Sequence, residues 1–211
     1  MLATVVIAHY NENIDWVNSI DRNKFNIEIY SKTLKEYNYI DQNRGNEASS
    51  YLQYIIDNYE NLPEHNFFVH GHNNSYHQDI TNDDFLNKVK LPSRYSYFNI
   101  NRRDYYIKSL KQEYSIQYMH LKTYWPLNEI EVPDDLSFYS CAQFYVHRDF
   151  IYSHSRGLYK KMFDWLMTTD LDNKLRVPQN YYSTRLFEYM WHVIFTGKCI
   201  EPIHSYDDLI I

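Results

Sequence analysis

The feature that most constrains this chain is an unbroken apolar, β-rich run near its start, Thr4-Val5-Val6-Ile7-Ala8. A strand with one wet face alternates apolar and polar residues, whereas a strand covered on both faces does not. The run therefore reads as a strand buried on both sides of a parallel sheet. A polar loop follows it, His9-Tyr10-Asn11-Glu12-Asn13, in which Asn13 can cap a short helix through Trp16 and Ile20. Phe25 to Tyr30 alternates as a second strand. From Glu47 to Tyr59 the spacing predicts a helix with Tyr51, Ile55, Ile56 and Tyr59 on one face, ended by Leu62-Pro63. Asn66 to Val69 is a third buried strand, leading into His70-Gly71-His72.

Further along, Thr81 or Asn82 can cap a helix over Asp83–Val89. The Tyr-rich stretch from Pro92 to Pro133, with Arg94, Arg102 and Arg103 interleaved, suggests a strand near Tyr95–Ile100 and a helix near Tyr105–Tyr114. Phe138 to Val146 reads as a late strand interrupted at Cys141-Ala142-Gln143, and helices are expected near Leu158–Met167 and Tyr182–Phe195. Strands alternating with helices predict an α/β domain with a largely parallel sheet. With 211 residues, no internal repeat and no linker-like stretch, one domain over residues 1–211 is expected. Ligands of such sheets bind beyond the carboxyl ends of the strands. That puts the loops at His9–Asn13, Asn43–Asn46 and His70–His77 on one rim.

Composition excludes several ligand-binding schemes. The chain has four glycines, Gly45, Gly71, Gly157 and Gly197, and they are too dispersed for a GxGxxG or a GxxxxGK[ST] motif. The formal charge of −6 argues against a nucleic-acid surface, which needs clustered Lys and Arg. Two cysteines make no disulfide framework and suit a reducing, cytoplasmic setting. The N-terminal apolar run lacks a basic flank and is too short for a signal peptide or a membrane span. The 23 tyrosines are suited to stacking on sugar faces, although codon bias alone can enrich Tyr and Asn and deplete Gly.

The candidate chemistry clusters in three places. His70, His72 and His77, with Asp79 beyond, follow a buried strand; residues two apart on a strand point the same way, so His70 and His72 can aim at one ion. Imidazole with carboxylate suits Mn²⁺, Zn²⁺ or Fe²⁺. The alternative is a packed, hydrogen-bonded His70 with the others on loop surface. HExxH is absent, and HxHxDH fails at Asn74 and Ser75, so the histidines point only weakly to hydrolysis. Asn43-Arg44-Gly45 precedes a helix, where free N–H groups and an Arg fork can take an anion; a plain turn with a solvated Arg is the competing reading. Glu188 and His192 share a helix face, as a base and its partner or as an ordinary polar edge. Asp170-Leu171-Asp172 is the one literal DxD, but with no buried strand before it, it reads as a solvated turn.

The order of these pieces resembles the GT-A fold of nucleotide-sugar glycosyltransferases. The chain is more closely similar to a family long described as a domain of unknown function in fungi and large DNA viruses. The shared blocks are Val5-Val6-Ile7-Ala8-His9-Tyr10-Asn11-Glu12, Asn43-Arg44-Gly45-Asn46-Glu47-Ala48, Phe68-Val69-His70-Gly71-His72, Tyr76-His77, Cys141-Ala142-Gln143-Phe144 and Glu188-Tyr189-x-Trp191-His192. Agreement is weakest from Pro92 to Pro133. The resemblance implies a GT-A-like domain with a mixed, mostly parallel sheet flanked by helices, cut from a longer chain that ends abruptly here at Leu209-Ile210-Ile211. It implies a metal-dependent glycosyltransferase that moves a sugar from a UDP-sugar to an oligosaccharide or glycoprotein acceptor, as in capsid glycan synthesis in the host cytoplasm. Mn²⁺ or Mg²⁺ would be held by members of His70, His72, His77, Asp79 and His204, in place of the family's Asp-x-Asp. His9, Tyr10, Asn11, Asn43, Arg44, Gly45, Gln143, Trp191 and His192 would bind nucleotide and sugar. Glu188 would be the base of an inverting transfer, with Asp79 also catalytic. Gly45 and Gly71 would let the backbone come close to the ligand. A glycan-binding module without catalysis and a histidine-based metal-dependent hydrolase are the alternatives.

Overall fold

The apolar run forms β1 (Ala3–His9), which is enclosed on both edges and both faces. It pairs in parallel with β2 (Phe25–Ser31) on one side and with β4 (His65–His70) on the other. The computed structural model describes residues 2–91 and 96–203. β3 (Asn38–Tyr39) extends β2 in parallel. Beyond β4 the sheet changes direction: β8 (Phe144–His147) runs antiparallel to β4 and to β5 (Tyr97–Asn99). The six strands are ordered β3-β2-β1-β4-β8-β5, a mixed and mainly parallel sheet.

The two-residue period of the strands sorts their side chains into two cores. Val6, Tyr30, Phe68 and Phe144 face α1 (Asn46–Asn58), α6 (Arg156–Thr168) and α8 (Tyr182–Thr196). Val5, Ile7, Phe67, Val69 and Tyr145 face a 3-10 turn at Asp15–Ser19 and α2 (Asn82–Lys88), through Trp16, Val17, Phe85 and Leu86. α2 is capped by the Thr81 side chain, whereas the turn at Asp15–Ser19 starts from Ile14 without a side-chain cap and Asn13 instead makes a local bond just before it. Asn13 Oδ1 accepts the Asp15 N–H at 2.7 Å, and Thr81 Oγ1 accepts the Asp84 N–H. Two tyrosines fasten α1 to the sheet side: the Tyr51 hydroxyl donates to the Ala142 carbonyl at 2.9 Å, and that of Tyr54 to Asn66 Oδ1 at 2.8 Å.

The middle of the chain departs from expectation. No helix spans 105–114. Instead a turn at Arg103–Tyr105 leads into β6 (Tyr106–Ile107), and helix begins only at α3 (Leu110–Glu113). Tyr106 and Ile107 find an antiparallel partner in β7 (Phe138–Tyr139), and Ser109 starts the helix by accepting the Gln112 N–H at 3.1 Å. The predicted late strand accordingly splits. β7 belongs to this small hairpin sheet and β8 to the main one, with Cys141 between them at φ 74°. α4 (Ser115–Tyr124), α5 (Arg148–Ile151) and α7 (Leu171–Lys174) complete the elements. Among the described residues no helix is long and apolar enough to cross a membrane.

Candidate functional site

β1 and β4 are neighbours whose connections lead away to opposite sides, so a crevice opens beyond their carboxyl ends. The first turn of α1 and the end of β2 close it. The resulting cavity, about 330 Å³, is lined by His9, Tyr10 and Glu12 after β1, Lys32 after β2, Asn43, Asn46, Glu47 and Ser50 at α1, and His70 and His72 after β4. The three predicted rim loops therefore converge.

His9 builds the wall rather than facing a ligand. It is buried; its Nδ1 is 2.8 Å from Ser31 Oγ and its Nε2 is 3.2 Å from the Glu12 carbonyl, which accepts only if Nε2 carries the proton. The Tyr10 N–H donates to Glu12 Oε2 at 2.8 Å, and the Tyr10 ring is 42 % exposed at the mouth. Glu12, drawn back over Gly71, brings Oε1 to 4.0 Å from His72 Nδ1. Lys32 is buried and donates to the carbonyls of Arg44 and Asn46, tying the loop before α1 to β2. Burial pulls its ammonium down to about 8, against the opposing pull of Glu47 and Glu12. Burial likewise pushes Glu47 up to about 7, and nearby Glu188 adds to the rise.

Two polar atoms aimed into this region have no partner: Ser50 Oγ and His70 Nε2. The His70 N–H donates to Gln143 Oε1 at 3.0 Å. Its ring lies 5.9 Å from that of His72 and 5.3 Å from that of His77. Burial, with the two neighbouring imidazoles, lowers His70 to about 3, so it is neutral at physiological pH. The three predicted histidine rings thus lie near one another. His77 is buried, its Nδ1 2.6 Å from Asn101 Oδ1. Asp79 stands apart, half exposed and 3.7 Å from Arg102. His204 lies outside the described residues. Among those described, no three His, Cys, Asp or Glu side chains form a metal-binding group.

Other expected site residues support the cavity from behind. The Arg44 guanidinium turns away from it to the Thr169 carbonyl at the end of α6. Gly45, at φ 75°, is held by its N–H on Asn180 Oδ1 at 3.0 Å, and a Cβ there would meet Ser49 Cβ at 2.9 Å. Its constraint is the packing of the protein on itself, and the same holds at Gly71, where a Cβ would meet Glu12 Oε2 at 2.8 Å. Gln143 is fully buried and joins the His70 N–H to Asn82. Asn11 is exposed and does not line the cavity; Asn43 does, with its carbonyl taken by Asn180 Nδ2 at 2.9 Å. Trp191 and His192 are core residues. Trp191 stacks on Phe195 at 5.8 Å, and His192 on Phe138 at the same distance. Glu188 is half-buried beside the cavity, raised by burial, with Oε1 accepting the Cys141 N–H at 2.6 Å.

Glu12, Glu47 and Lys32 are the site residues that sequence reasoning did not single out. Glu12 and Glu47 sit inside the shared blocks of sequence, and their signal was position: each lies one turn or less from a strand end or helix start facing the rim. Neither a curated protein nor a solved structure matches this chain. A family profile covers residues 4–207, nearly the whole length. The chain therefore belongs to the family described as Protein of unknown function (DUF3431).

Proposed function

We propose that this protein is a metal-dependent glycosyltransferase that moves a sugar from a UDP-sugar donor to a glycan acceptor. The observation that carries the reading is the cavity at the β1–β4 crevice, in which His70 Nε2 and Ser50 Oγ are buried without a partner. Buried polar atoms are otherwise paired, so orphans at a cavity wall mark places for ligand atoms. Since no three side chains among those described form a metal-binding group, the chain itself would offer an ion one pair, Glu12 and His72, whose Oε1 and Nδ1 lie 4.0 Å apart. Such an oxygen and nitrogen pair would suit Mn²⁺ better than Mg²⁺, and diphosphate oxygens and water would have to supply the rest of the shell. When bound there, the ion would supply positive charge against the leaving diphosphate.

The chain's own residues account for the remaining work. Tyr10, exposed at the mouth, offers a ring to a nucleobase. Lys32 and the start of α1 face the cavity with positive charge and N–H dipoles, favouring phosphate. Glu188 takes the proton of the acceptor hydroxyl in an inverting transfer. Its raised pKa improves the match to that task near neutral pH. Glu47, raised to about 7 chiefly by burial, is close enough for the charge of Glu188 to add to that rise, which couples the two carboxyls.

The test is calorimetric titration with UDP, with and without Mn²⁺, alongside turnover of UDP-sugars with and without a sugar acceptor. UDP binding tightened by Mn²⁺ is expected, as is faster donor consumption with acceptor present. Failure to bind UDP under any condition overturns the reading.

A further inference from the structure

A line of rings leads out of the cavity. His70, on the cavity wall, is followed by His77 at 5.3 Å, Tyr76 at 5.2 Å from His77, and Tyr105 at 5.7 Å from Tyr76. The last two complete the line. Tyr76 is 74 % exposed, by far the most exposed of the large aromatic side chains described. Nothing in the core requires a ring there. Burying it on a ligand would recover apolar area that the fold leaves in water.

Near these rings lies the start of α8. The Arg185 guanidinium lies over the Tyr181 ring, 4.2 Å from its centroid, and Tyr181 is 38 % exposed. The backbone before β8 runs between Tyr105 and Glu188. The Ser140 N–H donates to the Tyr105 carbonyl at 3.0 Å, and the Cys141 N–H donates to Glu188 Oε1 at 2.6 Å. These bonds set Tyr105 and Glu188 on either side of one short turn. Cys141, Tyr105, Glu188 and Arg185 all lie within electrostatic reach of the Tyr76 hydroxyl. Glu47 on the cavity wall is in turn within reach of Cys141 and Glu188. The aromatic surface therefore lies close to the cavity wall that carries Glu47.

We infer that this aromatic surface is the acceptor subsite, seating a pyranose ring of a neutral saccharide on Tyr76, with a hydroxyl turned towards Glu188. The chemistry fits that occupant better than a peptide or a lipid. Flat rings with polar rims pack against the C–H face of a sugar, and a carboxylate with an arginine nearby serves its hydroxyls. A lipid would need a wider apolar surface, and here Tyr76 is flanked by a carboxylate and a guanidinium. The inference rests on the transferase reading for the word acceptor. The saccharide-binding surface itself does not.

Protein-observed NMR separates the two. The ¹⁵N-labelled chain is titrated with methyl β-glucopyranoside and methyl β-galactopyranoside to high millimolar concentration, and separately with UDP plus Mn²⁺. At least one glycoside is expected to shift the amides of Tyr76, Ser140, Cys141 and Arg185. Tyr76→Ala is expected to weaken that binding about tenfold, and Tyr76→Phe to keep it. UDP should instead move Tyr10, Gly71 and Glu47. Glycoside shifts that are absent, or that fall elsewhere, overturn the surface assignment even when UDP binds. Glycoside shifts at this surface of a chain that binds no UDP sustain the saccharide site and overturn the transferase reading. Because Tyr76 is largely in solvent, unchanged glycoside affinity in a folded Tyr76→Ala variant also overturns the inference.

Discussion

At the scale of single residues, the two glycines at the site are kept for the protein's own packing, and the two positions should behave differently when changed. Gly45 needs its left-handed backbone, and a methyl group there would sit 2.9 Å from Ser49 Cβ and 3.3 Å from Leu166 Cδ1. Gly45→Ala should cost about 2 kcal/mol and lower the melting temperature by roughly 4–8 °C, read by calorimetry. At Gly71 the nearest atom is the end of the Glu12 side chain, which can swing aside. Gly71→Ala should change stability less, yet displace Glu12 and weaken the Mn²⁺-dependent part of UDP binding. Equal losses in both measurements for the two variants would contradict this division. Legibility at this scale was uneven. The histidines after β4 were visible because a strand end fixes where side chains point. Arg44 was not, because a long side chain can turn either way, and its acceptor at Thr169 is remote in sequence. Trp191 and His192 lie on a helix enclosed on nearly every side, where a shared helix face says nothing about which neighbour covers it.

Elements show the same contrast. β1, β2, β4, α1, α2, α6 and α8 were legible because continuous runs, alternation and helical spacing are local signals. β3, β6 and β7 are two-residue strands that exist through their partners, and α4 leaves Ile116 and Met119 in solvent, so its apolar pattern is weak. The Asp170-Leu171-Asp172 segment is the sharpest correction. Asp170 is exposed, but Asp172 is buried. Its carboxylate accepts the N–H groups of Asn180, Tyr182 and Ser183 at 2.9, 2.7 and 3.1 Å, and the Ser183 hydroxyl at 2.6 Å. α8 has no side-chain cap of its own from Tyr181, so Asp172 supplies the anchoring anion from α7. Asp172→Ala strands those donors and should cost about 2–4 kcal/mol in denaturant unfolding. Asn180, which grips Gly45 and Asn43, should loosen with it, so the variant should also lose affinity for UDP. A stability change under about 0.5 kcal/mol would refute the capping role, being the range of an ordinary surface substitution.

For the whole molecule, buried titratable groups set a pH window. Burial raises Glu201 to about 8 and Glu47 to about 7, so the folded chain binds these protons more tightly than the unfolded one. Their stabilising contribution is present at low pH and is lost as pH rises from about 4.5 through 7–8. Burial lowers His192 to about 4, so its contribution is absent in acid and develops as pH rises from about 4 to 6.5. Stability should peak in mildly acidic solution, and Glu201→Gln should flatten the alkaline limb of a melting temperature against pH curve. An alkaline limb unchanged in that variant would remove Glu201 as its cause. The reversal of direction at β8 has a different consequence, for how such a chain can change over generations. The stretch that leaves β5 and returns at β8 departs and rejoins through adjacent strands, latched by the Ile100 N–H on the Gln143 carbonyl at 2.9 Å. Lengthening a loop whose ends are already pinned costs little entropy. The cavity is built almost wholly outside that stretch, from β1, β2, β4 and α1. Descendants of one ancestor can therefore rewrite the stretch between β5 and β8, Tyr105 included, and inherit the lining of the cavity untouched.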